Sequence, residues 1–258
     1  MTDLVLVGGG KMGEAVLGGL LAAGWAPESL AVVEALDSRR DELADLYPEV
    51  EVSAEPVPAD GAVIAVKPGD VAAAIAVTPA NRFLSIAAGV TIAALEAAAG
   101  EGYPVVRAMP NTPALVGAGA AAIAGGTSAT DDDLDWAESI LGAVGTVVRV
   151  PEKLLDAVTG LSGSGPAYVF LVAEAMVDAG VLAGLPRATA EALAYQTLLG
   201  SARLLVESGD APATLRAAVT SPGGTTAAGL RALEQHGVRA AFLDAVMAAT
   251  DRSHELGS

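Results

Sequence analysis

The sequence contains no cysteine, which excludes disulfides, thiolate metal ligands and a cysteine nucleophile. Histidine is nearly as scarce. His236 and His254 are too few for a histidine-rich metal cluster, so no metal is expected. Aromatic residues make up 3% of the chain, which leaves little to stack against single-stranded nucleic acid and hands the core to Ala, Val and Leu. Positive charge is also in short supply: 14 Lys and Arg face 31 Asp and Glu, for a net charge of −17. Such a potential repels phosphate backbones, so neither nucleic acid nor an anionic membrane is an expected partner. No basic stretch precedes the first apolar run, which predicts no secretion signal and a cytoplasmic protein. The longest uncharged stretch, 108–130, is broken by two prolines, several glycines and Asn111, and does not read as a membrane span.

What is present is apolar and patterned. The 258 residues are 52% hydrophobic with mean hydropathy +0.50, enough to build one large domain or two modest ones. Up to about Val150, short Val/Ile/Leu/Ala runs at 4–7, 31–33, 50–52, 62–66, 83–86, 105–108, 120–124 and 146–150 alternate with helix-length segments. This alternation predicts βαβ units and a mostly parallel sheet covered on both faces. Beyond Pro151 three segments, 166–182, 187–207 and 225–256, show apolar residues at helical spacing with no strand-like run between them. The reading is an α/β chain: a dinucleotide-binding type doubly wound domain over 1–152, then an all-helical domain over 153–258. The second half is closer to neutral than the first and rich in Val, Leu and Phe, more than its length can bury alone, which predicts oligomerisation.

Directly after the first strand comes Gly8-Gly9-Gly10-Lys11-Met12-Gly13, a Gly-x-Gly-x-x-Gly loop opening a helix. Gly8 allows the tight turn, Gly10 lets backbone approach a pyrophosphate, and Gly13 lets helix pack on strand, with the helix N-terminus facing the anion. Lys11 and Met12 lie in the same loop. Glu34, 21 positions beyond Gly13, ends the second strand at the spacing of an acid that hydrogen-bonds a ribose 2′-hydroxyl. Arg39 and Arg40 follow and could hold a 2′-phosphate, or could lie on the solvated face of a helix capped by Asp37 or Ser38. The choice between NADH and NADPH stays open at this level. Lys67, in Val-Lys-Pro-Gly, and Met109-Pro110-Asn111 follow later strands, placing Lys67 and Asn111 to meet ribose or nicotinamide. Ser85 and Gly89 read as strand packing and a turn.

A second constellation occupies the helical half. Thr159-Gly160-Leu161-Ser162-Gly163-Ser164-Gly165-Pro166 precedes one helix, and Ser221-Pro222-Gly223-Gly224-Thr225-Thr226 precedes another. Free backbone N–H groups, hydroxyls and small residues at a helix start suit a small carboxylate. His236, just before Gly237, reads as a helix end. Together with the glycine loop, the stretches AVKPGDV, RAMPNTPALVGAG, GLSGSGPAYVFLVAEAMVDAGVLAGLPR and AVTSPGGTTAAGLRALE resemble the pyrroline-5-carboxylate reductase family, in order from about Leu4 to Leu256.

That resemblance implies a Rossmann-type domain joined to an all-α dimerisation domain, a homodimer built into a larger ring, and a site between the two domains. The implied reaction passes hydride from NADPH or NADH, NADPH slightly favoured, to C5 of 1-pyrroline-5-carboxylate, giving L-proline. Ser221, Gly223, Gly224, Thr225 and Thr226 would hold the substrate carboxylate and ring, with Thr226 the catalytic residue. Met109, Pro110 and Asn111 would line the nicotinamide.

Rival readings are a β-hydroxyacid dehydrogenase, another imine reductase, or a catalytically silent dinucleotide sensor. The first needs Gly-x-x-Gly-x-Gly-x-x-x-Lys at the start of the helical half. Here Gly160, Gly163 and Gly165 fit, but Val169 occupies the lysine position and no lysine follows Lys153.

Overall fold

The computed structural model describes residues 2–257. Eight strands form one sheet: β1 (Thr2–Val7), β2 (Leu30–Val33), β3 (Glu51–Ser53), β4 (Ala59–Ile64), β5 (Ala80–Ser85), β6 (Val105–Met109), β7 (Gly119–Gly125) and β8 (Gly145–Arg149). Their order is β3-β2-β1-β4-β5-β6-β7-β8, parallel except for the antiparallel β6–β7 pair. The eight apolar runs of the sequence all fall on strands. The helices between them are α1 (Lys11–Ala22), α2 (Asp37–Leu46), α3 (Val71–Val77), α4 (Ile92–Ala99) and α5 (Asp131–Gly142), followed by a short α6 (Leu155–Val158).

The side-chain period of two along each strand divides the core. Leu4 and Leu6 of β1 pack with Val32, Val63 and Leu84 beneath Leu17 and Leu20 of α1, Leu43 of α2 and Ile140 of α5. Val5 and Val7 face the other way, joining Ile64 and Phe83 under Ile75 of α3, Leu95 of α4 and Leu155 of α6. Both faces are thus covered, as a parallel sheet requires. The order reverses direction at β1/β4, the switch point at which ligands of open α/β sheets bind.

Five helices complete the chain: α7 (Gly165–Leu182), α8 (Arg187–Ser208), α9 (Pro212–Ala218), α10 (Thr225–Gln235) and α11 (Val238–Leu256). The helical segment 225–256 is two helices, divided at the helix end expected at His236. Gly237, at φ +70°, follows the capping residue His236 and turns the chain between them. The chain forms two compact units, residues 1–164 with 247–258, and residues 165–246. The change from strands to helices at Pro151 is therefore not where compactness divides: α6, the turn after it and the end of α11 all belong to the sheet-containing unit.

The second unit buries little by itself. Its only buried hydrophobic cluster among the described residues is Val177, Ala190 and Ala194, where Gly180 lets α7 approach α8. Phe170, Leu171, Leu182, Leu193, Leu199 and Val206 are all exposed, Leu182 to 90%. One helical run, Glu152–Leu182, is long and apolar enough to cross a membrane by length and composition.

Candidate functional site

The glycine loop separates two kinds of glycine. Gly8 has φ +105°, and a Cβ there would lie 2.7 Å from the Ala65 carbonyl oxygen; at Gly13 a Cβ would lie 2.1 Å from the Gly8 carbonyl oxygen. Both are required for α1 to pack on the strand turn. Gly10 is different: its φ and ψ of −65° and −178° suit any residue, and a Cβ would meet nothing within 4 Å. It is the N-cap of α1 with no side chain to cap the first turn, so the helix N-terminus opens onto free space. Lys11 is exposed beside it, whereas Met12 turns partly into the core. Such a cradle suits a pyrophosphate.

Glu34 directly follows β2, beside this loop. Its carboxylate accepts the Gly9 N–H at 2.8 Å and the Leu36 N–H at 2.9 Å, fixing an acid at the rim of the cradle. Arg39 and Arg40 are both engaged with neighbouring acids and carbonyls. Arg39 donates to the Gly9 carbonyl at 2.7 Å and pairs with Glu14 and Glu42, and these carboxylates raise its pKa above the ordinary value. Arg40 donates to the Glu34 and Ala35 carbonyls at 2.8 Å and pairs with Asp37. The N-cap of α2 is Leu36, not Asp37 or Ser38, and its carbonyl accepts the Arg39 and Arg40 N–H groups.

Three further loops leave the same carboxyl edge. After β4, Lys67 is exposed and Pro68 opens a short 3₁₀ turn. After β6, Met109 and Pro110 lead to Asn111, which is buried, with both ends of its amide engaged. Its Nδ2 donates to the Ser162 carbonyl at 3.0 Å, and its Oδ1 accepts the Ala120 N–H at 2.8 Å. The side chain expected to meet the nicotinamide or ribose thus makes one bond to backbone at each end of its amide. Within the same unit a cavity of about 400 Å³ is lined by Pro68, Ala88 and Gly89 from this edge, by Thr159 and Ser164, and by Arg252 and Ser253 of α11. Sequence reasoning assigned Gly89 to a turn and gave α11 no role. Ser253 donates to Asp156 at 2.7 Å across 97 residues, a separation that carries no local signal.

In the second unit, Ser221-Pro222-Gly223-Gly224 forms a turn closed by the Gly224 N–H on the Ser221 carbonyl at 3.0 Å. Pro222 at the second position and Gly223 at φ +69° in the third are what a type II turn demands. Gly224 is the N-cap of α10 with no side-chain cap, so Thr225 and Thr226 begin a helix whose first N–H groups have no side-chain partner at the cap. The structure brings Ser221, Gly223, Gly224, Thr225 and Thr226 together at this one helix start.

An open doubly wound sheet whose first turn is a glycine loop at an uncapped helix start, followed by helices that leave their apolar faces uncovered, defines a dinucleotide-binding oxidoreductase architecture with a helical second part. Comparison with known proteins sharpens this. Residues 152–256 match the family model described as pyrroline-5-carboxylate reductase dimerisation, and residues 3–89 match one described as NADP oxidoreductase, coenzyme F420-dependent. The chain is 49% identical to a pyrroline-5-carboxylate reductase of Synechocystis, over 99% of this chain and 98% of that one. The solved structure of a pyrroline-5-carboxylate reductase from Coxiella burnetii superposes with TM-score 0.93 at 35% identity, covering 100% and 99% of the two chains. That of the Plasmodium falciparum enzyme, with NADP bound, gives 0.84 at 30% identity, covering 100% and 98%. The chain belongs to the pyrroline-5-carboxylate reductase family, a family of NAD(P)H oxidoreductases.

Proposed function

We propose that this chain reduces 1-pyrroline-5-carboxylate to L-proline, the final step of proline biosynthesis. The observation that carries the reading is the Ser221–Gly224 turn, which delivers an uncapped helix start bearing two threonines in a chain whose other unit holds an open glycine cradle. Backbone N–H groups at that start, with the Ser221 and Thr226 hydroxyls, would grip the substrate carboxylate without a basic side chain. Gly223 and Gly224 keep the approach clear. Thr226 is the residue proposed to touch the ring.

The dinucleotide would lie with its pyrophosphate at Gly8, Gly10, Lys11, Met12 and Gly13, its adenosine ribose at Glu34, and its nicotinamide end toward Lys67, Met109 and Pro110, with Asn111 behind them. When bound in reduced form it supplies the hydride for C5 of the imine. An iminium carbon is already electrophilic, so this chain's residues need do little beyond orientation, consistent with motifs that hold no histidine. Between the two nicotinamide dinucleotides, Glu34 argues for NADH. An anionic carboxylate fixed at the cradle repels a 2′-phosphate, and Arg39 and Arg40 are already paired with acids. The uncovered faces of α7 and α8 would meet a second copy, giving a homodimer; family resemblance extends this to a ring of dimers and to a cytoplasmic enzyme.

The test is oxidation of NADH or NADPH followed by absorbance, with and without 1-pyrroline-5-carboxylate. Oxidation that depends on the imine supports the reading; dinucleotide binding without it favours a sensor. Thr226→Val should lower kcat/KM about 10- to 100-fold, the worth of one hydrogen bond to a charged group, and leave dinucleotide Kd unchanged. Equal loss of both would make Thr226 structural.

A further inference from the structure

We propose that Asn111 is a positioning residue, whose amide clamps the Met109–Pro110 loop to the turn at 159–163 instead of binding the dinucleotide. The inference rests on the reading that this loop lines the nicotinamide. Two independent contacts join the same loop to the same turn.

The first contact follows from a missing donor. Residues 159–163 form a π-helical turn, closed by the Ser164 N–H on the Thr159 carbonyl at 2.8 Å. The Thr159 and Ser162 hydroxyls each donate back to a carbonyl four residues earlier, Leu155 and Val158. The Ser162 carbonyl would ordinarily accept from residue 166, but that residue is Pro166 and has no N–H. Asn111 Nδ2 supplies the donor at 3.0 Å.

The other end of the amide replaces a ladder bond. In the β6–β7 pairing Met109 lies opposite Ala122, a register that sets residue 111 opposite Ala120. β6 stops at Met109, and beyond Pro110 the Ala120 N–H is taken by Asn111 Oδ1 at 2.8 Å. One side chain therefore continues the sheet and completes the turn, at 9% exposure.

The second contact is steric. A Cβ on Gly163 would lie 2.5 Å from Met109 Cε, so only glycine admits the methionine tip in its present place. Met109 and Asn111, on either side of Pro110, are thus both referenced to one turn. Such clamping matters for hydride transfer, where a misplacement of about 1 Å can cost about 100-fold in rate.

Asn111→Asp keeps an acceptor for Ala120 but sets a carboxylate oxygen against the Ser162 carbonyl. Gly163→Ala displaces only the flexible end of Met109, so it retains the fold. For both, kcat is expected to fall about tenfold or more, dinucleotide Kd to stay near wild type, and the isotope effect with 4-deuterated dinucleotide to rise as hydride transfer becomes limiting. A loss of affinity matching the loss of kcat/KM in Asn111→Asp would make Asn111 a ligand and overturn the proposal. Unchanged kcat in both variants would overturn it too. A readout independent of turnover is amide exchange: Asn111→Ala should deprotect Ala120 and residues 160–164 together, and retained protection overturns the clamp. Absence of imine-dependent oxidation in the wild type defeats the functional reading instead and leaves the exchange result to decide the clamp.

Discussion

Replacing Gly10 and Gly13 one at a time separates what the fold needs from what the ligand needs. At Gly13 an added methyl would lie 2.1 Å from the Gly8 carbonyl oxygen, backbone against backbone, so α1 must lift from the strand turn. That movement disturbs Val16, Leu17 and Leu20, all fully buried. Overpacking of this kind costs about 1–3 kcal/mol or somewhat more, and for a chain of this size each kcal/mol shifts Tm by about 2–4 °C. Gly13→Ala should therefore lower Tm by about 2–12 °C. Gly10→Ser meets no atom within 4 Å and puts a favoured residue at an N-cap whose angles it adopts freely. Its stability should stay within about 0.5 kcal/mol of wild type, less than about 2 °C. Its side chain nevertheless stands where the pyrophosphate would approach the backbone. Losing one or two charge-assisted hydrogen bonds at about 1.5–3 kcal/mol each weakens Kd by about 10-fold to well over 100-fold. Calorimetric melting without nucleotide, which removes ligand linkage from Tm, and titration with reduced dinucleotide read the two quantities separately. Wild-type affinity in Gly10→Ser, or destabilisation equal to that of Gly13→Ala, would refute the assignment.

The other predictions concern selectivity, assembly and alkaline pH. Wild type should have a lower KM for NADH than for NADPH, and Glu34→Gln should narrow the ratio by about tenfold or more as the repelling charge goes; a wild-type preference for NADPH contradicts the role given to Glu34. Phe170→Glu combined with Leu199→Glu, both on exposed apolar faces, should reduce the sedimenting mass to that of a smaller species, and unchanged mass would remove those faces from the interface. Burial, and after it the nearby Glu14 carboxylate, raise the Tyr47 phenol above its ordinary pKa. The native state then holds that proton more tightly than the unfolded chain, so the associated stability is full below about pH 10 and is lost as pH rises beyond it. Tyr47→Phe should flatten that alkaline fall in the urea midpoint; an identical fall in both proteins would assign it elsewhere.

Strands were readable because each carries its own signal. Leu4 and Leu6 alternate with Val5 and Val7 in a run too short for a helix, and both sets turn out to be buried. The glycine loop was readable for the same reason, since turn, cradle and helix start are contiguous. What escaped was either unpatterned or distant. α9 has seven residues and buries none of them, so no periodicity marks it. The pairing of Arg39 with Glu14 spans 25 residues and that of Asn111 with Ser162 spans 51. Nothing within a local window tells an arginine awaiting a phosphate from one already neutralised, or an amide facing a ligand from one completing a turn. The turn that opens α10 was legible through SPGGTT because a type II turn states its requirements in sequence.

The polypeptide leaves the sheet-bearing unit at residue 164 and re-enters it at 247, so the intervening 82 residues are topologically an insertion. A fragment that stops before residue 247 therefore lacks part of the sheet-bearing unit. Removing the final turns takes away Arg252 and Ser253 from the cavity wall and strands Asp156 without its hydroxyl partner. Closure of that cavity therefore needs residues from both sides of the 165–246 segment.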